Sequence, residues 1–336
     1  MSSKIDSATD FVETLISTSL GYSDRNPQAA SRIKQLKTQN KIYLAHEYFN
    51  RNWQPMLHSE VCRSFQPAKV AFACSALYSD HFDIFNLLPP QVELLNRISD
   101  PVLRQSARDF VVDRQFRKDY WVKGPRRLEA SERRAALRSQ RVILLSDPAK
   151  VVLRAGGSLT DGDLSPEIYL PLIEALTDHQ ICSIGQLEEK LKGQPLSFSQ
   201  LVEAVMVLIG KGDVASVQED DAIERGLEGA TRLNHHLIES SLHSARVCNL
   251  ASPVTGGGFY VQPFHLQMLL ARQRGLSTAE QWAGFVLQNL TEKGAGISRP
   301  DGGTMSASEG LAALTAEAHS FESKQFQILK ALKIVS

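Results

Sequence analysis

Paired histidine and glutamate residues are the side chains of this sequence with the clearest capacity for chemistry. His46 adjoins Glu47, and His58 lies two residues before Glu60. Imidazole and carboxylate groups together can transfer protons or bind a metal ion. On a helix, however, His46 and Glu47 project about 100° apart, so one ligand does not contact both. Position 50 is asparagine, which excludes an HExxH zinc motif.

Aromatic residues surround the first of these pairs in the sequence. One short segment around His46 contains Tyr43, Tyr48, Phe49 and Trp53. A buried polar side chain in such surroundings normally has a hydrogen-bond partner. One interpretation is therefore that His46 makes a structural hydrogen bond inside a cluster of these rings. This interpretation gives His46 a role in folding and none in catalysis.

A second group of histidines lies on one predicted helix. His235, Glu239 and His243 are spaced four residues apart, with His236 beside the first, so most of the group shares a helix face. A zinc site needs a fourth ligand, and the sequence offers none at a suitable spacing. The leucines between these residues already account for the helix. We interpret the group as a solvated helix face, and no metal site is predicted.

Two glycine-containing segments are the candidates for a phosphate or cofactor loop. Val151–Gly157 ends in two glycines but lacks the GxGxxG pattern of doubly wound cofactor domains. Thr255, Gly256, Gly257 and Gly258 lack the Gly-Lys-Ser/Thr ending of a P-loop. We interpret the first as an ordinary turn and the second as a loop between strands. Contact of Thr255, Gly256 and Gly257 with a partner or substrate is the alternative. No catalytic or cofactor-binding residue is predicted.

A basic segment is the main indication of a different function. From Arg114 to Arg141 the sequence has ten Lys or Arg and three Asp or Glu. Residues 166–218 show three short helical patterns and then an alternating strand, the layout of a winged-helix domain. The third pattern, Ser197 to Ile209, contains no Lys or Arg to contact phosphates or bases. We interpret this region as a protein-interaction or structural module, with a winged-helix nucleic-acid-binding protein as the alternative.

Composition excludes several classes of protein. Lys plus Arg and Asp plus Glu both number 37, so no overall charge attracts nucleic acid or anionic lipid. The apolar fraction of 43% is typical of a globular chain and not of a disordered one. The four scattered cysteines favour buried thiols in a reducing compartment. The polar N-terminus and short apolar runs predict neither a signal peptide nor a membrane span, so a cytoplasmic protein is expected.

Hydrophobic spacing predicts a mainly α (α+β) fold. Helices are expected at 8–20, where Gly21 ends the first one, after Pro27 and on both sides of Pro55. A series of short helices is expected to follow, with starts at Pro67, Pro89-Pro90 and Pro101, and Val102–Val112 is again helical. Alternation predicts strands at Phe116–Val122 and Val151–Ala155, which we expect to share one small sheet, and at Val214–Val217. Further helices are expected at 168–176, 187–191, 197–209, 231–242, 264–274, 279–291 and 306–332, with Ser183, Ser197, Ser277 and Ser306 as N-caps.

One segment has a more specific pattern. It contains Tyr43-Leu44-x-His46-Glu47-Tyr48-Phe49-Asn50, Pro55 and His58-x-Glu60, continues through Asn86-Leu87-x-Pro89, and ends at Asp109-Phe110 and Gln115-Phe116-Arg117. On these residues, Asn40–Val122 resembles the regulatory, or middle, domain of bacterial S-adenosylmethionine-dependent methyltransferases. Some members of that group resemble protein-lysine methyltransferases. The later segments LNHHLIE and LASPVTGGG are also similar to the family.

The resemblance implies a division of the chain into five parts. These are an N-terminal helical segment, the regulatory domain, a basic linker with a small β element, a winged-helix-like domain and a C-terminal helical region. Their expected bounds are residues 1–40, 41–123, 124–165, 166–220 and 221–336.

The resemblance also implies an accessory function. In the family a Rossmann-type catalytic domain precedes the regulatory domain, whereas only a short segment precedes it here. We therefore expect a non-catalytic module that regulates a methyltransferase or presents substrate to it. The expected partner is a methyltransferase catalytic domain, which would bind S-adenosylmethionine, or a protein substrate. The resemblance places Tyr43, His46 and Glu47 beside a substrate pocket. An enzyme with its own pocket around His46 and Glu47 is the remaining alternative.

Overall fold

The structure is a computed structural model that describes residues 2–244, 247–297 and 303–335. Helices dominate it, and the strands form small sheets of two or three strands. The mainly α (α+β) class expected from the sequence is confirmed. The chain divides into two compact units, Met1–Pro67 and Ala68–Ser336; the five-part division stays a prediction. Among the described residues, no helix combines the length and apolar character needed to cross a membrane.

The secondary structure described for the N-terminal unit is helical. Its helices are α1 Ser2–Thr18, α2 Leu20–Arg25, α3 Gln28–Lys37, α4 Lys41–Glu47 and α5 His58–Phe65. Lys37 joins α3 to α1 through an ion pair with Asp10 at 2.8 Å. The prediction that Gly21 ends the first helix is wrong, because α1 ends at Thr18 and Gly21 lies within α2. The predicted helices after Pro27 and on both sides of Pro55 are confirmed.

The first part of the C-terminal unit pairs two strands around three helices. The elements are β1 Val70–Ser75, α6 Asp83–Asn86, α7 Pro89–Asn96, α8 Pro101–Val111 and β2 Asp119–Lys123. The strands β1 and β2 are antiparallel, with Val70 opposite Lys123. The expectation that the strand at Phe116–Val122 shares a sheet with Val151–Ala155 is wrong. Its partner is β1, a run of apolar residues in a region where short helices were expected.

The middle of this unit is built on a three-stranded sheet. The elements are α9 Ala130–Ser139, β3 Arg141–Leu144, β4 Arg154–Gly156, β5 Asp161–Asp163, α10 Pro166–Glu174, β6 Cys182–Ser183, α11 Ile184–Lys190, α12 Phe198–Lys211 and β7 Val214–Ser216. The order in the sheet is β6-β3-β7, and β4 pairs with β5 alone. Ser183 and Ser197 cap α11 and α12 as predicted, each accepting a backbone N–H from the third residue beyond it. The winged-helix assignment of this region stays a prediction.

The rest of the chain forms a helical bundle with one β-hairpin. The elements are α13 Asp220–Ser240, β8 Asn249–Ser252, β9 Gly257–Tyr260, α14 Pro263–Gln273, α15 Ala279–Glu292, α16 Ala307–Ser320 and α17 Phe326–Ala331, with a π-helical turn at Phe321–Gln325. Trp282 and Phe321 are buried in its core. Ser306 caps α16 as predicted. The predicted cap Ser277 is wrong by one residue, because Thr278 accepts the N–H of Gln281.

The environment of Tyr169 predicts a loss of stability at alkaline pH. Burial in α10, with the nearby charge of Glu203, raises the pKa of Tyr169 to about 12. An unfolded tyrosine ionises near pH 10 (roughly the model-peptide value). The stability that Tyr169 contributes is therefore complete below that pH and is lost as the pH rises toward the folded-state pKa. We expect Tyr169→Phe to lose less stability than the wild type between those values, measured by urea unfolding. An identical loss of stability in the wild type and in Tyr169→Phe would show that Tyr169 is not responsible for it. The control is Tyr260→Phe, at an exposed tyrosine.

Candidate functional site

Three aromatic rings of the N-terminal unit form an exposed surface. Tyr43 and Tyr48 meet edge to face with ring centroids 6.4 Å apart, and Tyr48 lies 6.2 Å from Trp53. We call Tyr43, Tyr48 and Trp53 the aromatic surface. Their exposed fractions are 43%, 38% and 53%. Tyrosine and tryptophan exposed together are typical of residues that bind a partner protein.

Local structure holds these rings in place. Asn40 caps α4, and its side-chain oxygen accepts the backbone N–H of Ile42 at 2.8 Å. Leu44, on the other face of the helix, is 1% exposed and anchors α4 in the unit. The chain leaves the helix in a turn in which the N–H groups of Tyr48 and Phe49 both bond to the Leu44 carbonyl. The aromatic surface is thus carried on a capped helix end and the turn that follows it.

His46 and Glu47 lie on the same helix but have different surroundings. The side chain of His46 is exposed and that of Glu47 is half-buried. Exposure of His46 does not fit the interpretation of a structural hydrogen bond inside a cluster of rings. Tyr43, His46 and Glu47 remain candidates for contact with a substrate or partner, since none of the three is buried.

Asn86, from the family-like pattern, has a structural role. It is 3% exposed, and its side-chain NH₂ donates to the carbonyls of Ser79 at 2.7 Å and Phe82 at 2.8 Å. Its side-chain oxygen accepts the N–H of Ser158 at 2.9 Å. Gly157 approaches so closely that an added Cβ would lie 2.6 Å from that oxygen. Asn86 therefore fastens the segment before α7 to the turn between β4 and β5.

This contact also explains the glycines of Val151–Gly157. Gly156 and Gly157 stand at the end of β4, where the chain turns back into β5. The N–H of Gly157 bonds to the carbonyl of Thr160 across that turn. The segment is the ordinary turn that the sequence predicted, although its strand begins only at Arg154.

A charged network occupies the end of the β1–β2 ribbon, beside a cavity of about 250 Å³. Asp80 accepts the hydroxyl of Ser75 at 2.7 Å and pairs with Arg114. Arg108 donates to the carboxylate of Asp83 at 2.7 Å and to the carbonyl of Asp80 at 2.8 Å. Mutual pairing of this kind satisfies the charges inside the domain. The network therefore positions β1, α6 and α8 relative to one another.

Arg117 and Cys74 complete the same region. Arg117 is bonded to Asp119 through Nε at 2.7 Å and also to Asp109. Burial acts to lower the pKa of Arg117, but its bonds and charge interactions with these two carboxylates outweigh burial and raise it. Burial, with the charge of Asp119, also raises the pKa of the Cys74 thiol. A thiol whose pKa is raised is a poor nucleophile at neutral pH, so we assign Cys74 no catalytic role.

The glycine loop is the tip of a β-hairpin, in agreement with its interpretation as a loop between strands. Asn249 pairs with Tyr260 and Ser252 with Gly257. Gly256 has φ +70°, which favours glycine. The carbonyl of Thr255 accepts the side-chain amide of Gln218 at 3.4 Å. Thr255, Gly256 and Gly257 thus lie together at one turn of the C-terminal unit, while Tyr43, His46 and Glu47 belong to the N-terminal unit.

The basic segment is largely neutralised within the protein. Of its ten cations, six form ion pairs among the described residues: Arg114, Arg117, Arg126, Arg134, Arg138 and Arg141. Arg134 bonds to Glu188 at 2.8 Å and stacks on Phe198 at 4.3 Å. These contacts of Arg134 hold α9 against α11 and α12. Paired arginines are poorly suited to neutralise phosphates, which counts against the nucleic-acid-binding alternative.

The histidines of α13 do not converge. His235 lies 3.8 Å from Glu239, and His236 lies 3.4 Å from the hydroxyl of Ser240. Within residues 2–244, 247–297 and 303–335, no three His, Cys, Asp or Glu side chains are placed to hold one metal ion.

The segment with the aromatic surface and Asn86 corresponds to a known domain. Residues 40–123 match the family described as a predicted methyltransferase regulatory domain. This match confirms the resemblance to a methyltransferase regulatory domain that was found in the sequence for this segment.

Similarity to other proteins extends over nearly the whole chain. A protein of Synechocystis sp. (strain ATCC 27184 / PCC 6803 / Kazusa), itself described as uncharacterised, is 29% identical over 332 residues, which are 99% of this chain and 65% of the relative. The structure of PKMT2 from Rickettsia typhi in complex with AdoHcy has a TM-score of 0.56 at 12% identity and covers 91% of this chain. A second structure of PKMT2 has a TM-score of 0.55 at 13% identity and covers 95%.

These relatives are longer than the present chain. It covers 65% of the Synechocystis protein and 63% and 67% of the two PKMT2 chains. At 12% and 13% identity, the TM-scores of 0.56 and 0.55 show that the chain shares a fold with PKMT2.

Proposed function

We propose that this chain is a non-catalytic module of an S-adenosylmethionine-dependent methyltransferase, which regulates the enzyme or presents substrate to it. The catalytic domain that binds S-adenosylmethionine lies outside residues 1–336 in this proposal and is the expected partner. The observation that carries the proposal is the match of residues 40–123 to a methyltransferase regulatory domain. The fold shared with PKMT2 supports the same association with methyl transfer.

The aromatic surface is the part of the regulatory domain that we propose contacts the catalytic partner or its protein substrate. Its rings are exposed, lie within the matched segment and are held by a capped helix. The loop with Thr255, Gly256 and Gly257 is a second candidate contact. A cytoplasmic location, where S-adenosylmethionine enzymes meet protein substrates, is part of the proposal.

Affinity capture combined with an activity assay tests this function. The chain is immobilised and exposed to soluble extract of its own source cells, and the bound fraction is assayed for methyl transfer from radiolabelled S-adenosylmethionine to protein. We expect the bound fraction to contain methyltransferase activity, while the immobilised chain alone has none. A bound fraction without methyltransferase activity would overturn the proposal.

A further inference from the structure

A groove in the C-terminal unit combines positive charge with an apolar floor. It lies between α13, the end of α14 and the end of α17, with a volume of about 610 Å³. We call it the basic groove and define it by Arg272, Lys330 and Lys333, with Leu269 and Ile334 among its apolar residues. Its volume falls in the range of small-molecule sites, roughly 300–1,000 Å³.

The charge of the groove is uncompensated by its own lining. No Asp or Glu is among the described residues that line it. Within the described part of the chain, Arg272, Lys330 and Lys333 also form no ion pair, in contrast to the arginines between Arg114 and Arg141. Glu239 of α13 lies beside His235, a residue of the lining, with 3.8 Å between its carboxylate and His235 Nδ1. Three cations around one opening create a field that attracts an anion.

Arg272 is held in position by rings. Its guanidinium carbon lies 4.2 Å from the centroid of Phe326 and 5.3 Å from that of Trp282, and Lys330 Nζ lies 5.0 Å from the Phe326 ring. Phe326 and Trp282 are both buried, so they form a rigid base. Stacking on a ring face leaves the N–H groups at the edge of the guanidinium available to an oxyanion.

Lys333 occupies a backbone conformation that favours glycine. Its φ is +52°, and it follows α17, where the N–H of Ile334 bonds back to the carbonyl of Leu329 at 3.0 Å. Helices often end with glycine in this left-handed conformation, which is unfavourable for a residue with a side chain. A lysine therefore occupies a position at which glycine would stabilise the fold, and the charged side chain of this lysine lines the groove.

We propose that the basic groove binds a small molecule that carries a phosphate or carboxylate group on an apolar body. Arg272, Lys330 and Lys333 contact the oxyanion, and the apolar floor accepts the body. This site is independent of the proposed role in methyl transfer, since it lies in the bundle of α13–α17 and not in residues 40–123.

Calorimetry with the whole chain and four probes tests the groove. The probes are 1-naphthyl phosphate, 1-naphthoate, neutral 1-naphthol and inorganic phosphate. We expect at least one naphthyl anion to bind with a dissociation constant below about 1 mM, at least tenfold more tightly than 1-naphthol. The tighter of the two anions identifies the preferred oxyanion. No binding by either anion, or equal binding of 1-naphthol, would overturn the proposal.

Variants assign the binding to the groove. We expect Arg272→Gln to weaken binding of the anion at least tenfold. Arg274 does not line the groove, since its guanidinium carbon lies 5.3 Å from the ring centroid of Phe285, so we expect Arg274→Gln to leave binding unchanged. Lys333→Gly is expected to keep or raise the melting temperature and still weaken binding severalfold. It therefore decides the question if Arg272→Gln fails to fold. Unchanged binding in Lys333→Gly and in a folded Arg272→Gln would contradict the site.

Discussion

Replacing Tyr48 and Trp53 together with serine is expected to remove at least nine tenths of the methyltransferase activity that the chain captures from extract. Both rings are substantially exposed, so their removal leaves the core of the unit intact. Aromatic residues at the centre of an interface typically contribute about 2–4 kcal/mol each. Because about 1.4 kcal/mol corresponds to a tenfold change in affinity, losing two such contacts is enough to abolish capture. The measurement is the radiolabel transferred by the bound fraction.

A matched variant separates this effect from a general loss of surface apolar area. Tyr260, which is 56% exposed and lies in β9 of the C-terminal unit, is replaced by serine as the control. We expect Tyr260→Ser to capture as much activity as the wild type. Equal capture by the Tyr48/Trp53 double variant, with helical circular dichroism unchanged, would show that the aromatic surface does not bind the partner.

Asn86→Ala is expected to destabilise the C-terminal unit by about 2–4 kcal/mol. The substitution removes three hydrogen bonds around a side chain that is 3% exposed: those to the Ser79 and Phe82 carbonyls and that from the Ser158 N–H. The two carbonyls keep their backbone donors, Phe82 and Phe85, so the lost bonds and the space left by the amide account for most of that free energy. The measurement is the free energy of unfolding from urea titration.

Asn96→Ala provides the comparison for this prediction, because Asn96 is exposed at the end of α7. We expect its free energy of unfolding to stay within about 0.5 kcal/mol of the wild type. Similar values for Asn86→Ala and Asn96→Ala would mean that Asn86 does not hold the β4–β5 turn. In that case the asparagine of the family-like pattern would need another role.

Features that depend on neighbouring residues could be predicted from the sequence. The helix starts at Pro89 and Pro101 and the caps Ser183, Ser197 and Ser306 follow from local backbone chemistry and are present in the structure. The aromatic surface was also visible in outline, because its rings lie within one short segment. The cap at Ser277 was misplaced because Thr278, the next residue, has an equivalent hydroxyl.

Features that join distant segments could not be predicted. The strand β2 pairs with β1. The residues of β2 do not determine which of the several apolar runs in the sequence becomes its partner. The charged network around Asp80 and the basic groove bring together residues far apart in the chain, so spacing gives no sign of them. Asn86 was part of a recognisable pattern, yet its structural role became evident only from its contact with Ser158.

Titration of this chain with S-adenosylmethionine and with S-adenosylhomocysteine by calorimetry tests the proposed non-catalytic function most directly. PKMT2 from Rickettsia typhi, whose structure was solved in complex with AdoHcy, serves as the positive control. We predict that neither compound binds residues 1–336 in a saturable manner. The titration extends to concentrations that would saturate a site with a dissociation constant on the order of micromolar. Saturable binding, or methyl transfer to protein by the isolated chain, would contradict a non-catalytic module and indicate a complete methyltransferase.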